Sequence, residues 1–277
     1  MSAAAPAPAD IADAPPRHGD FTWYELLTPD PAAAEAFYGP LVGWYFATGD
    51  AVNHGYRMVL AGGEPIGGVL ALTEGMAAKG ARPVWIGYVQ VDRLATAIDA
   101  LRAGGGRVLM EGLAIPGVGP FAMVADPQGA PLYLIEDRSG RPARAFSKYT
   151  PTPGTCAWNE LAATDPDAAI AFYTGLFGWR QEGAMPMGEH GSYRFLVHGD
   201  HAVGAAMACN DVTGQSGWLF YFRVPDIDAA VAQLAASGGT LVEDPGEIPG
   251  GDFSLVARDP QGALFGLVGA RLTRGRQ

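Results

Sequence analysis

Cysteine is scarce in this chain. Two in 277 residues, Cys156 and Cys209, form no CxxC pair and no disulfide framework. That excludes the small disulfide-stapled folds and gives no sign of an oxidising compartment, so both read as small buried hydrophobes. Positive charge is also short, with 18 Lys and Arg against 29 Asp and Glu for a net charge of −11. No basic cluster interleaves with aromatics, and nucleic acid is therefore not expected as a partner, because affinity for a phosphate backbone is mostly electrostatic. No apolar run reaches the roughly 18 residues that a membrane span requires, and no membrane role is expected. Charged residues make up 17% of the chain against 48% hydrophobic, too apolar a balance for a largely disordered polymer. The first 18 residues are Ala/Pro-rich and lack both a basic start and a long apolar stretch, so they read as a disordered tail, not a signal peptide. A cytoplasmic location follows as the expectation.

What the chain does contain, it contains twice. Phe21 to Trp44 (FTWYELLTPDPAAAEAFYGPLVGW) returns as Cys156 to Trp179 (CAWNELAATDPDAAIAFYTGLFGW). The copies share Trp23/Trp158, Glu25/Glu160, Asp30/Asp165, Phe37-Tyr38/Phe172-Tyr173 and Gly43-Trp44/Gly178-Trp179. A second segment from Trp85 repeats from Trp218, and each copy leads to Asp-Pro-Gln-Gly-Ala, at Asp126 and Asp259. The order is therefore A, B, A′, B′, two tandem halves.

Each module opens on a short alternating run, which predicts a strand with Trp23, Glu25 and Leu27 on one face and Tyr24 and Leu26 on the other. Asp30-Pro31 and Asp165-Pro166 then supply an N-cap and a proline at the first helical position. Three strand candidates follow the helix in every module, giving βαβββ. The fold class is α+β, with four such modules pairing into two open, eight-stranded, barrel-like domains, because a helix covers only one sheet face and the other must pack elsewhere. The expected boundaries are a tail at 1–18, domains at 19–136 and 155–270 with a core in each, a surface linker at 137–154 and a tail at 271–277. Consecutive modules are expected to pair within each half.

The strand, capping Asp, helix and Phe-Tyr-x-x-Leu-Phe-Gly-Trp run of Asp165 to Trp179, the Val-Asp-x-Leu start of module B and the Asp-Pro-Gln-Gly-Ala turns resemble the vicinal oxygen chelate superfamily, which includes glyoxalase I, bleomycin-resistance proteins and extradiol dioxygenases. The resemblance implies cups with a divalent metal held by His, Gln or Glu on first and last strands. In this sequence the matching first-strand positions are Trp23 and Trp158, and the last-strand acids are replaced by Tyr133 and Gly266. No metal and no cofactor are therefore expected. The histidines do not restore a site: His18 borders the tail, His198 and His201 flank a Gly-Asp hairpin turn expected in solvent, and His54 and His190 lie in turns. A displaced site joining Glu25 or Glu160 to His54 or His190 stays open.

The inward faces are expected to carry Trp23, Glu25, Tyr88, Gln90 and Tyr133 in the first cup and Trp158, Glu160, Tyr221 and Arg223 in the second. Aromatic walls with a few polar groups suit a flat or amphipathic small molecule. The plainer alternative is that the rings fill the barrel and each Glu pairs with a neighbour, Arg223 serving Glu160. The functional expectation is a small-molecule ligand, aromatic or cationic, bound without metal by a monomer or homodimer. The alternative is an enzyme with Glu25 and Glu160 as catalytic carboxyls, Glu25 acting as general base. If one cup acts alone, the first is favoured.

Overall fold

The computed structural model describes residues 14–48, 55–188 and 191–272. Strand β1 (Phe21–Thr28) leads into helix α1 (Pro31–Tyr38), where Asp30 Oδ1 accepts the free amides of Ala32 and Ala33 at 3.1 and 2.9 Å. Pro40 offers no amide hydrogen, and the helix gives way to a five-residue π turn (Gly39–Gly43). The second copy has Gly175 there and runs unbroken as one helix (Pro166–Phe177) to the left-handed Gly178.

The remaining strands of module A are β2 (Tyr45–Thr48), β3 (Arg57–Ala61) and β4 (Glu64–Ala71), and a short helix α2 (Glu74–Ala77) precedes module B. Module B comprises β5 (Val84–Gln90), α3 (Leu94–Ala103), β6 (Arg107–Ile115), β7 (Gly119–Ala125) and β8 (Pro131–Ile135). Helix α3 starts at Leu94, two residues after Asp92. Its first amide is capped from a distance by Glu136 Oε2 at 2.9 Å, which also holds the Glu136 carboxyl below the usual carboxylate range. The second half repeats the plan as β9 (Cys156–Ala163), α4 (Pro166–Phe177), β10 (Arg180–Pro186), β11 (Ser192–His198), β12 (His201–Ala208), β13 (Gly217–Arg223), α5 (Ile227–Ala236), β14 (Thr240–Glu247), β15 (Phe253–Arg258) and β16 (Leu264–Gly269).

The eight strands of each half form one sheet, ordered β2-β3-β4-β1-β5-β8-β7-β6 and β10-β11-β12-β9-β13-β16-β15-β14. The antiparallel pairs β1–β5 and β9–β13 join A to B and A′ to B′, so modules pair within their own half, as expected.

The core departs from one per half. A single buried cluster joins the convex, helix-bearing faces of both sheets, and only smaller apolar clusters lie on the concave faces. Rings cross the boundary at close range: Tyr24 meets Phe220 at 5.0 Å, and Phe222 meets Trp44 and Trp85 at 4.9 and 4.8 Å. The halves thus stand back to back with their cups facing away from each other.

The repeated motifs make that seam, and they make it twice. Tyr38 donates to Asp259 at 3.0 Å, and Tyr173 donates to Asp126 at 3.1 Å. Trp44 Nε1 donates to the Gly154 carbonyl at 2.6 Å, and Trp179 Nε1 donates to that of Gly19 at 2.9 Å. Each Asp-Pro-Gln-Gly Asp also closes its own turn, Asp126 on the Ala130 amide and Asp259 on the Ala263 amide. A carboxylate that receives two backbone amides and a phenol is fully used, which fits these residues to architecture and not to chemistry.

The segment between the halves is not only surface. Ala145 and Phe146 are buried, Phe146 bridges to Cys156, and Lys148 reaches the buried Asp20 at 2.6 Å. His18 likewise docks within the expected tail, accepting from the Asp92 amide at 3.2 Å and contacting the Leu176 carbonyl at 2.9 Å. At the other end Arg271 pairs with Asp228 and lies over the Phe253 ring.

His198 and His201 do flank the turn between β11 and β12, but His201 is 5% exposed, not in solvent. Both rings pack beside Asp20, with His198 Nε2 at 3.6 Å and His201 Nε2 at 4.0 Å from Asp20 Oδ1. Burial and the Lys148 ammonium push the His201 pKa down to about 4, and burial lowers that of His198.

Candidate functional site in the two cups

Alternation along β1 and β9 puts Tyr24, Leu26 and Leu161 into the shared core and sends Trp23, Glu25, Trp158 and Glu160 the other way, into the cups. Glu25 lies at the centre of its sheet, between Gly68 of β4 and Ile86 of β5; Glu160 lies between Ala205 and Leu219. The two carboxyls are only 5% and 9% exposed.

Each is held by phenols. Tyr88 donates to Glu25 Oε2 at 3.1 Å, and the nearby Tyr133 and Tyr56 phenols also favour the charged form of the carboxyl. In the second cup Tyr193 and Tyr221 both donate to Glu160 Oε2, at 2.8 and 3.2 Å. The tryptophans stand behind: Trp23 Nε1 donates to the Tyr56 hydroxyl at 3.0 Å, and Trp158 Nε1 to that of Tyr193 at 2.6 Å. An indole N–H can only donate, so the phenol oxygen accepts and its hydrogen is directed to the carboxyl. The result in each half is a Trp–Tyr–Glu relay.

Burial disfavours the charged carboxylate and the phenol hydrogen bonds favour it. Burial dominates, and both Glu25 and Glu160 are raised to a pKa of about 7. The same burial, together with the neighbouring carboxyl, pushes Tyr88, Tyr133, Tyr193 and Tyr221 far up, so these phenols keep their protons.

Tyr56 and Tyr193 were missed by sequence reasoning. Their signal was the Tyr-Arg dipeptide that both halves place at the start of the third strand, where Arg57 pairs with Glu35 and Arg194 with Asp167. Gly68 makes room for Tyr56, since a Cβ there would lie 1.8 Å from its hydroxyl.

Two other site residues do different work from that expected. Gln90 ends β5 and spends its amide on the backbone, accepting from the Asp137 amide at 3.1 Å and donating to the Val91 carbonyl at 3.2 Å. Arg223 ends β13 and pairs with Asp252 at 2.7 Å, so it does not neutralise Glu160, whose carboxyl is influenced by Tyr193, Tyr221 and Glu243. Both are last residues of their strands, where these other partners take up their polar groups.

The duplicated back-to-back cups are similar to known proteins over nearly the whole chain. CFP32 of Mycobacterium tuberculosis (strain CDC 1551 / Oshkosh), provisionally named a glyoxylase, is 33% identical over 254 residues, covering 91% of this chain and 95% of that protein. The chain belongs to the glyoxalase/bleomycin resistance protein/dioxygenase superfamily. Residues 155–267 also match the profile of that superfamily directly. The anthracycline biosynthesis protein DnrV of Streptomyces peucetius is 28% identical over 263 residues, 90% of this chain and 92% of its own. Among solved structures, the Mn(II)-bound glyoxalase of Novosphingobium aromaticivorans superposes with a TM-score of 0.65 at 16% identity, covering 94% of this chain and 86% of that one. The 2,2',3-trihydroxybiphenyl 1,2-dioxygenase of Sphingomonas wittichii RW1 gives 0.65 at 14%, covering 92% and 91%. At such identities the likeness shows the fold alone.

The superfamily's metal does not fit the residues described in these cups. A divalent ion needs deprotonated donors, whereas each carboxyl here is ringed by phenols that keep their hydrogens and by an indole that only donates. Among the described residues no three His, Cys, Asp or Glu side chains come together as a metal site. His54 and His190, the partners of the displaced site left open by the sequence, lie outside the described residues.

Proposed function

We propose that the protein binds a small aromatic or cationic organic molecule in its cups without a metal, with the buried Glu as polar anchor and the surrounding rings as walls. The observation that carries this reading is the pair of Trp–Tyr–Glu relays on a carboxyl that titrates near neutrality. In the second cup both phenol hydrogens go to Oε2, and Oε1 accepts none from a described residue. A buried carboxylate with phenols and, among the described residues, no cation against it gains most from a ligand that brings a positive charge or an N–H or O–H donor.

A second reading is acid–base catalysis, supported by the same pKa of about 7, which matches a general base to neutral pH. Calorimetric titration of aromatic amines and neutral aromatic alcohols into wild type, Glu25→Gln and Glu160→Gln tests both. Anchoring predicts that one Gln variant loses about 1.5–3 kcal/mol of affinity. Catalysis predicts intact binding and turnover lowered at least about a hundredfold. Ligands held equally well by wild type and both variants, with turnover unchanged, overturn the two readings together.

A further inference from the structure

The seam is built twice, and the two builds differ at one junction. On one side Trp44 Nε1 donates to the Gly154 carbonyl, and on the other Trp179 Nε1 donates to that of Gly19. Each glycine lies against the end of a strand entering a hairpin turn. A Cβ on Gly154 would stand 2.7 Å from Ala61 Cβ, and one on Gly19 would stand 3.2 Å from His198 Cε1. The first turn closes on the pair Ala61 and Glu64, the second on His198 and His201. The residue after each glycine is Thr155 on one side and Asp20 on the other. Glu64 is exposed, whereas His201 and Asp20 are buried and the His198 side chain is only 13% exposed. One copy thus holds this junction with no buried ionisable group at the matching positions, so the architecture does not require the three found in the other.

In the second copy the charges crowd round one carboxyl. Asp20 Oδ2 takes the Lys148 ammonium at 2.6 Å and the Arg17 amide at 2.7 Å. Asp20 Oδ1 has the two histidine Nε2 atoms at 3.6 and 4.0 Å, too far for hydrogen bonds. It and all four ring nitrogens are buried without a hydrogen-bond partner among the described residues. On its other side His201 faces Asp200, 3.6 Å from Nδ1, and the ring of Tyr149, whose hydroxyl donates to that Asp200. The Phe146 ring is its apolar neighbour, and Arg17 and His18 add positive charge near His198. Lys148 and Tyr149 come from the segment between the halves, Arg17, His18 and Asp20 from the residues before β1, and the histidines from the second half. The set does not converge as a metal site among the described residues, and the ammonium on Asp20 opposes a second cation there.

We infer that this cluster is an acid-released clasp: neutral histidines leave Asp20 to Lys148, which straps residues 147–149 onto the second half, and protonated histidines displace the strap while the seam stays closed. One buried carboxylate cannot serve an ammonium and two imidazoliums in a space shut off from water. Lys148 is the cation that can leave, because its side chain is 18% exposed against 2% for that of His201. Burial favours the neutral rings, so the closed clasp takes up protons less readily than the open one and loses ground as pH falls from 6.5 towards 4. His201 alone, at about 4 when closed against an ordinary 6.5 when open, raises the open fraction about 50-fold between pH 7 and 4.5.

Hydrogen exchange of the full chain, read by mass spectrometry at residues 145–151 and at the twin turn, residues 57–66, tests the clasp. Each variant is compared with wild type at the same pH, so the intrinsic pH dependence of exchange cancels. Relative to His198→Asn/His201→Asn, wild type is expected to gain about 50-fold in exchange at 145–151 between pH 7 and 4.5, with no difference at 57–66. In ring NMR, His201 should titrate below 6.5 in wild type and higher in Lys148→Met, which removes a neighbouring cation and leaves Asp20 to the imidazoles. The inference is overturned if both regions of wild type open together, if the double variant opens in acid as readily as wild type, if wild-type His201 titrates at or above 6.5, or if Lys148→Met leaves its titration unmoved. Should the double variant fail to fold, wild-type exchange at the two regions and the His201 titrations decide between the same outcomes.

Discussion

Replacing Glu160 with Gln keeps the shape of the side chain and removes its proton equilibrium, which turns the buried carboxyl into a measurable pH dependence. The carboxyl titrates at about 7 in the folded protein against 4.5 for the ordinary group. A raised folded pKa gives stability that is fully present below pH 4.5 and lost as pH rises through 7. The difference of about 2.5 pKa units corresponds to about 3 kcal/mol. Urea unfolding of wild type and Glu160→Gln at half-unit steps from pH 4.5 to 8.5 isolates this contribution, because every other titration is common to both proteins and cancels. The variant should gain on wild type by about 3 kcal/mol between pH 4.5 and 8, with the change centred between 4.5 and 7. A difference that stays flat, or a variant that loses ground as pH rises, would show that the phenols hold Glu160 ionised and would refute the dominance of burial.

Three further outcomes are expected. On the acid side His201, at about 4 when folded against an ordinary 6.5, contributes stability that is lost as pH falls from 6.5 towards 4, about 3 kcal/mol in all; His201→Asn should flatten that limb in the same urea series. Lys148→Met leaves the 1% exposed Asp20 without its ammonium and should cost about 2–4 kcal/mol in chemical denaturation, whereas an unchanged midpoint would show the pair to be dispensable. Tyr38→Phe and Tyr173→Phe each strip one phenol from a buried Asp–Tyr–Trp chain and should cost similar amounts, about 1–3 kcal/mol apiece, so markedly unequal losses would contradict the reciprocity of the seam.

The modules and their order were legible because periodic strands, Asp-Pro caps and a duplication leave marks on local sequence. Placement of Trp23 with Glu25, and of Trp158 with Glu160, followed from alternation alone. The phenols that complete the relays come from a different strand, and only contact across the sheet shows that Tyr56 and Tyr193 belong to them. Gln90 and Arg223 share the alternation of the cup face but sit at strand ends, where a nearby backbone or an Asp outcompetes the cavity. The turn between His198 and His201 was readable from Gly199-Asp200, whereas its burial depends on the docking of Asp20 and Lys148 from segments that carry no periodic signal. The Phe-Tyr and Gly-Trp pairs announced the repeat without revealing that each half uses them on the other.

That mutual use makes the seam equivalent to the isologous face of a symmetric dimer whose subunits happen to share one chain. A tether of this kind keeps its halves at a mutual concentration in the millimolar range, so association persists even while individual contacts drift. Divergence is then released on the outward faces, because neither cup has to preserve the other's lining to keep the molecule together. One lobe can let its hollow solidify into stacked rings, as Tyr88, Tyr133 and Phe121 have done, while the other lines the matching place with Gly266 and Ser254, and neither change reaches the seam.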